Sequence, residues 1–536
     1  MLSLLRSLAL LLAGLTLGFA HPARASHAQG GSLTYTSLGG NSYRIRADFF
    51  RECSGTIVPA AVGVNCQTTC NGPAVTAMLS IVGQPVIGTP YGSAFQPLAV
   101  CPLNGQVPAV IQANFVALRY EGTVTLPPNQ WVLSLEENAR PQVANLSSPN
   151  TLRLEASLDN RTRANTSVTF SSIPAFFVPN EQPNLQHLGA FDADGDSLAY
   201  SLVRPLGGCN FYEGYALYPA GLCQTNVIST TPPCLLTCPA ITRYSARIPI
   251  AVRVDTVGTC PFKTAAPRFA FDSLSGALAF TPGRYVAAPP VIGNNEYVVA
   301  VQVTEWRKVG ATYVRMGFVR RDMFWVVYNG TNAALPRLAP TVTVQHGTQT
   351  TTQPLSAPVA VRVGEPVVVS FTATSTLTAT PLSFTLEQNT VPGATVQNGP
   401  AAGSGRLTFT PPLGLTAGTY RVSLTVTDDA NVRNLITVPV AFRAYGGVLA
   451  SRSGAAALRE LASPNPFTQQ VQFQLAQAGV QSLVVCDQLG RVVAHLRSLA
   501  DGRVQWQPGA EVPAGLYLAR TADGRHTVRL LRNGTQ

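Results

Sequence analysis

The chain has 536 residues, of which 12% are charged, with 45 Gly, 41 Pro and a formal net charge of +11. The charged share is about half the usual one, and the length allows three or four domains at roughly 100–200 residues each. A mainly helical chain is excluded, because no window sustains apolar spacing at i, i+3 and i+4 between caps, whereas Thr and Val recur in alternation as strands require. The positive charge does not make a nucleic-acid interface. Nearly all of it is Arg, with Lys at 263 and 308, and the arginines stand singly (Arg44, Arg46, Arg51, Arg119, Arg153) without a stripe or run. Dispersed arginine of this kind reads as solvated surface, and acidic surface polysaccharide is the natural partner if one exists.

In chain order, residues 1–28 read as a signal peptide and its cleavage region. Arg6 is the charged start, Leu8–Phe19 the apolar core and Ala23-Arg24-Ala25 an A-x-A site, with cleavage after Ala28 as a second choice. No later run approaches the ~20 apolar residues of a membrane helix, so no integral membrane segment is expected.

Ten cysteines follow, and in an exported chain they read as disulfides. Cys53, Cys66, Cys70 and Cys101 precede residue 102. Cys209, Cys223, Cys234, Cys238 and Cys260 form a second cluster, whose odd member stays free unless it pairs across modules. Cys486 stands alone. The C-x-x-x-C spacings at 66–70 and 234–238, with no histidine nearby, do not suit zinc.

Residues 29–172 form an N-terminal disulfide-containing β module. It opens with a strand through Gly31-Ser32-Leu33-Thr34-Tyr35, a Gly39-Gly40-Asn41 hairpin turn and a second strand through Tyr43 to Cys53. Asp48, Arg51 and Glu52 read as charges that protect a strand edge. This opening resembles that of large secreted Bacteroidetes proteins termed gliding-motility-associated or PKD-like, a resemblance that leaves the module's role undefined.

Residues 173–333 carry the most chemistry-like constellation. Asp192-Ala193-Asp194-Gly195-Asp196 places carboxylates at alternate positions around a Gly bend, an oxygen-rich loop that suits Ca²⁺. It is not an EF-hand, because Val203 occupies the twelfth position and a strand follows. The run Asp192–Tyr200 resembles the D-x-D-G-D-x-L-x-Y strand start of cadherin-like and related Ig-like modules. Asp192, Asp194 and Asp196 are therefore expected to form a structural calcium clip. Glu305 is added as a fourth ligand because an acidic residue recurs late in such modules. The other reading of the loop is an acidic turn whose aspartates cap backbone N–H groups.

Residues 334–445 repeat this module in reduced form. Pro381–Leu386 answers Ser197–Leu202, Gly405–Pro411 answers Gly276–Pro282, and Ala417–Asp428 answers the strand from Tyr297 to Glu305. The acidic loop has no counterpart, so no calcium is expected in this copy. Residues 446–457, small and polar, read as a linker.

Residues 458–536 are the most specific stretch. Pro464-Asn465-Pro466-Phe467 opens it, Asp487-Gln488-Leu489-Gly490-Arg491 reverses the chain, Pro513-Ala514-Gly515-Leu516-Tyr517 leads into a strand, and a basic strand closes it. The order and spacing resemble the type A C-terminal sorting domain of the type IX secretion system of Bacteroidetes-type bacteria. That resemblance implies delivery by outer-membrane export machinery to the medium or cell surface. Ser463, Cys486, Arg529 and Arg532 depart from the commoner residues of the pattern without removing a turn residue.

The expected architecture is all-β: tandem Ig-like β-sandwich modules with a small C-terminal β-sandwich. Catalysis has little to work with. Beyond the signal peptide the histidines are His187, His346, His495 and His526, far apart, and no H-E-x-x-H, G-x-S-x-G or phosphate loop occurs. The expected function is a non-catalytic adhesion or matrix protein. The alternative is a carbohydrate-binding accessory protein using exposed Tyr35, Tyr43 or Trp131, and a third reading is a secreted hydrolase hidden in the first module.

Overall fold

The computed structural model describes residues 28–52, 59–70, 72–83, 86–88, 96–97, 115–138, 140–149, 151–170, 175–287, 293–330, 335–375, 381–386, 391–415, 417–428, 435–446, 462–475, 479–487, 491–521 and 527–533. The signal peptide, Cys53, Cys101, Gly490 and most of the linker lie outside them. The chain divides into two compact units, 1–447 and 448–536. All regular structure among the described residues is β-strand, as the alternating Thr/Val pattern requires.

The first unit begins with the hairpin Ala28–Gly39 and Ser42–Glu52. Gly39, Gly40 and Asn41 carry φ of 88°, 57° and 63°, the left-handed conformations of a tight hairpin turn. From there one sheet runs through Phe115–Thr125, Ala74–Ile81, Ala61–Gln67, Gln130–Asn138, Thr151–Asp159, Thr312–Tyr328, Glu296–Val309 and Ser197–Val203. Ala28–Gly39 also pairs with Thr312–Tyr328 at Gly31↔Asp322 and Ser32↔Arg321, which closes the first eight strands of this path into a ring. Gly30 and Gly31 permit this approach: a Cβ would stand 2.5 Å from the carbonyl oxygens of Asp322 and Asp48 respectively.

The border expected at 172/173 is therefore not a seam. Thr312–Tyr328 lies between Thr151–Asp159 and Glu296–Val309 and adds Ala175–Pro179 in parallel. Its buried run from Met316 onward marks a strand covered on both faces. One core joins Leu33, Tyr35 and Leu154 to Tyr297, Val319 and Trp325. Polar ties reinforce the junction. Arg140 Nη2 donates to Asp322 Oδ2 at 2.6 Å with both side chains buried, and Asn145 donates to the carbonyls of Pro249 and Val298, both at 2.7 Å.

Two charge expectations need correction. Ser42–Glu52 is not an edge strand but lies between Ala28–Gly39 and Phe115–Thr125. Its Asp48 instead pairs with Arg46 (2.6 Å) and Arg119 (2.9 Å), and Arg51 is buried 3.8 Å from Glu137. The arginines are also not uniformly solvated, since Arg153 is buried against Glu136 and Glu155.

An insertion over 204–268 carries a four-stranded sheet in the order Asn226–Thr230, Pro233–Thr237, Phe262–Pro267, Val254–Val257. It is stapled by Cys223–Cys238 and Cys234–Cys260 and tied to the first module by Cys70–Cys209. The odd cysteine of the second cluster thus pairs across modules. Cys66 does not form the expected disulfide. It is a buried thiol within Ala61–Gln67, where burial pushes its pKa up to about 12.

Residues 334–445 fold as two facing sheets. One has the order Gln349–Pro354, Thr341–His346, Val367–Thr374, Ser404–Phe409, Ala394–Asn398, and the other Val359–Arg362, Leu435–Tyr445, Gly418–Asp428, Leu382–Thr385. The sequence repeat has a packing basis. A Cβ on Gly276 would lie 2.7 Å from the Tyr200 ring, and one on Gly405 would lie 2.4 Å from Phe384, so each copy seats its strand aromatic on a glycine. The two copies are locked together at His187. Its N–H donates to Thr437 Oγ1 at 2.6 Å, and its ring bridges Ser423 Oγ (3.2 Å) and the Ser275 carbonyl (2.8 Å).

The second unit packs Val471–Gln474 and Arg503–Trp506 against the sheet Val492–Arg497, Ser482–Asp487, Gly515–Thr521, Thr527–Arg532, around Phe467, Trp506 and Tyr517.

Candidate functional site

The acidic loop follows the short strand Ala190–Phe191 and leads into Ser197–Val203. Gly195 bends it with φ of 81°, and Asp192 Oδ1 accepts the Asp196 N–H at 2.9 Å, the capping role open to an aspartate in a turn. Glu305 and Arg307 come from Glu296–Val309, which pairs with Ser197–Val203 at Leu198↔Glu305. The loop and strand thus meet because the sheet register brings them together.

What fills the loop is a guanidinium. Arg307 Nε and Nη2 donate to the two carboxylate oxygens of Asp196 at 2.7 and 2.9 Å, and Nη2 also reaches Asp194 Oδ2 at 2.6 Å. Nη2 also lies 2.8 Å from Asn165 Oδ1, and Nη1 donates to the Ala164 carbonyl at 2.9 Å. Asp194 Oδ2 also accepts the Thr166 N–H at 2.9 Å. A bidentate, charge-assisted pair of this kind is the strong form of ion pair.

Glu305 turns into the core. Its carboxylate accepts from Asn165 Nδ2 and the Val168 N–H, both at 2.6 Å. Burial, reinforced by the Asp192 charge, pushes its pKa up to about 8. Burial likewise carries Asp192 up to about 7, and Asp192 Oδ2 has no hydrogen-bond partner among the described residues.

The expected ligand set does not fit Ca²⁺. The guanidinium occupies the space that Asp194 and Asp196 would share with a cation, and Glu305 has both carboxyl oxygens engaged by Asn165 Nδ2 and the Val168 N–H inside the core. Among the described residues no group of three metal-ligating side chains converges. Arg307 was the residue sequence reasoning missed. The signal was an Arg two positions after Glu305, on the strand facing the loop.

The aromatic platform expected on the first module is also absent. Tyr35, Tyr43 and Trp131 are 1%, 2% and 8% exposed, because these rings fill the core; the Tyr35 hydroxyl donates to the Ser157 carbonyl at 2.9 Å. His187 is walled into the module junction, where burial drives its pKa down to about 4.

In the C-terminal unit the motif residues are its staples. Asn465 Oδ1 accepts the Leu531 N–H at 2.7 Å and its Nδ2 donates to the Arg529 carbonyl at 2.8 Å, clamping the last strand. Phe467 is buried, and its N–H donates to the Leu531 carbonyl at 2.9 Å. Pro464 and Pro466 shape this entry, both through cis peptide bonds. Asp487 accepts the Arg491 N–H (3.0 Å) and Nε (2.8 Å) across the turn. The Tyr517 hydroxyl donates to the Pro513 carbonyl at 2.6 Å, pinning the entry to the Gly515–Thr521 strand.

Fold and site together define a multi-module all-β chain with a disulfide-stapled insertion, a guanidinium-filled acidic loop and a separate terminal sandwich. A scan of known protein families finds no match, and no curated protein matches the sequence. Solved structures do match. Extracellular domains 3–5 of Drosophila OTK are 12% identical, with 70% of this chain and 99% of that chain covered at a TM-score of 0.13. Extracellular cadherin domains 3–6 of Protocadherin Gamma B2 are 12% identical, with 68% and 73% covered and a TM-score of 0.17. Dimeric latent PorU from Porphyromonas gingivalis is 11% identical, with 69% and 34% covered and a TM-score of 0.14. At these scores the likeness assigns no family, ligand or partner to the chain.

Proposed function

We propose that the chain is an exported, non-catalytic scaffold protein, serving adhesion or matrix structure at the cell surface or in the medium, with its terminal unit acting as a type IX sorting domain. The observation that carries this reading is in the terminal unit. Asn465, Phe467, Asp487, Arg491, Pro513 and Tyr517, spaced as in that family, are the residues whose bonds and packing hold a sandwich compact apart from the rest. Three disulfides among the described residues support an oxidising destination. No helix among the described residues is long and apolar enough to cross a membrane.

In this reading calcium is not needed at the acidic loop, because Arg307 already bridges Asp194 and Asp196. The rigid junction at His187 and the ring of strands suit a stiff spacer. Truncation in the host tests the export route. Loss of 462–536 is expected to leave the remainder in the periplasm, and unchanged delivery of the truncated chain to the surface or medium would refute the assignment.

A further inference from the structure

Between the acidic loop, the Glu296–Val309/Thr312–Tyr328 hairpin and the start of Gly418–Asp428 lies a cleft of about 490 Å³, within the range of ligand sites. It goes beyond the function proposed above and stands on separate observations. Cross-strand pairing of Lys308 with Tyr313, and the two-residue step from Lys308 to Trp306, set these three side chains on one face of the hairpin. Trp306 is half-buried and Tyr313 is 55% exposed, so the cleft offers aromatic surface to a ligand. Across it, Arg421 and Lys308 make no ion pair among the described residues. Asp272, which feels the Arg421 charge, is already engaged by Ser275 Oγ and the Leu274 N–H, which hold its carboxyl below the usual range with a smaller contribution from Arg421.

The remaining wall supplies an acceptor. Asp192 is buried, lines the cleft and keeps Oδ2 without a donor among the described residues. A buried oxygen left without a donor is destabilising, and a ligand hydroxyl would satisfy it. The Thr419 hydroxyl lies exposed at the rim.

We propose that this cleft binds an acidic sugar, a uronic acid residue of a polysaccharide: its C–H face on Trp306 and Tyr313, its carboxylate on Arg421 and Lys308, and a hydroxyl on Asp192. The three chemistries have to arrive together on one small rigid unit. An acidic peptide carries the charge but brings neither a flat C–H face nor a dense set of hydroxyls. A neutral sugar leaves the two cations unanswered.

The test is calorimetric titration of the full mature chain with tetragalacturonate, cellotetraose and tetraglutamate, with near-UV circular dichroism to establish folding of each variant. Saturable binding of tetragalacturonate is expected. Trp306→Ala and Arg421→Gln should each weaken it at least ~tenfold, while Arg44→Gln, outside the cleft, should leave it unchanged. If Trp306→Ala does not fold, Arg421→Gln at a half-buried position and Lys308→Gln at an exposed one carry the same test. No saturable binding by the folded chain, equal binding of cellotetraose or tetraglutamate, or equal weakening by Arg44→Gln would each overturn the proposal.

Discussion

Replacing Arg307 with Met keeps most of the side chain's bulk and removes the charge that closes the acidic loop. Asp196 would then hold an unpaired carboxylate whose side chain is 2% exposed, and Asp194 one that is 30% exposed. Breaking a buried pair by removing one partner costs roughly 3–5 kcal/mol. Arg307 itself is 21% exposed, so water screens part of that, and about 2–4 kcal/mol is the expected loss. For a unit this large the fall in Tm is about 2–5 °C, read by near-UV circular dichroism of the full chain. Asp196→Asn should cost a similar amount, and the double variant should fall short of the sum by about 1–3 kcal/mol. Added calcium or chelator should leave the wild-type midpoint in place. A neutral Arg307→Met, or a wild-type midpoint that drops with chelator, would refute the guanidinium clip.

Three further predictions bear on the surrounding structure. Gly405→Ala pushes a Cβ into the Phe384 ring and should cost about 1–3 kcal/mol by overpacking; a variant as stable as wild type in urea would remove the glycine–aromatic account of the repeat. Cys66 should resist maleimide in the native state and react on denaturation, and rapid native labelling would contradict its burial. The third concerns pH. Burial holds Glu305 near 8 and Asp192 near 7, above the unfolded value of about 4. The native state therefore binds protons that the unfolded chain has shed, and this contribution to stability, full below pH ~4, is lost as pH rises through 7 and 8. His187, driven to about 4, acts in the opposite sense: its contribution falls as pH drops from ~6.5 toward 4. Tm should decline from pH 6.5 to 8.5, and Glu305→Gln should flatten the decline; an equal slope in both proteins would count against the assignment.

Strand content and the terminal sandwich were legible in the sequence because they depend on local signals. Alternation fixes which side chains point inward, and Gly39-Gly40-Asn41 and Pro513-Ala514-Gly515 fix turns within a few residues. The repeat was legible too, since a strand aromatic (Tyr200, Phe384) precedes its glycine (Gly276, Gly405) in the same order in both copies, although the 204–268 insertion lengthens the interval in the first. The sharing of one sheet by residues 29–172 and 173–333 was not. It depends on Thr312–Tyr328 pairing with a strand about 160 residues earlier (Val319↔Ala156, Gly317↔Leu158), and no local pattern encodes a partner at that separation. The acidic loop shows a different shortfall. Its carboxylates announce a cation, but whether the cation is a metal or an Arg depends on the register of the neighbouring strand. The aromatics of the first module misled because Tyr35, Tyr43 and Trp131 carry polar tips that reach buried partners, as Trp131 Nε1 does at the Pro127 carbonyl (2.8 Å).

The account stands on the chain's being oxidised, exported scaffold whose last unit directs delivery. The direct measurement is fractionation of the host followed by intact-mass and thiol analysis of the protein recovered. The account predicts a surface or medium form lacking the signal peptide, with Cys70–Cys209, Cys223–Cys238 and Cys234–Cys260 bridged. Full-length chain in the cytosol with those cysteines reduced would contradict it.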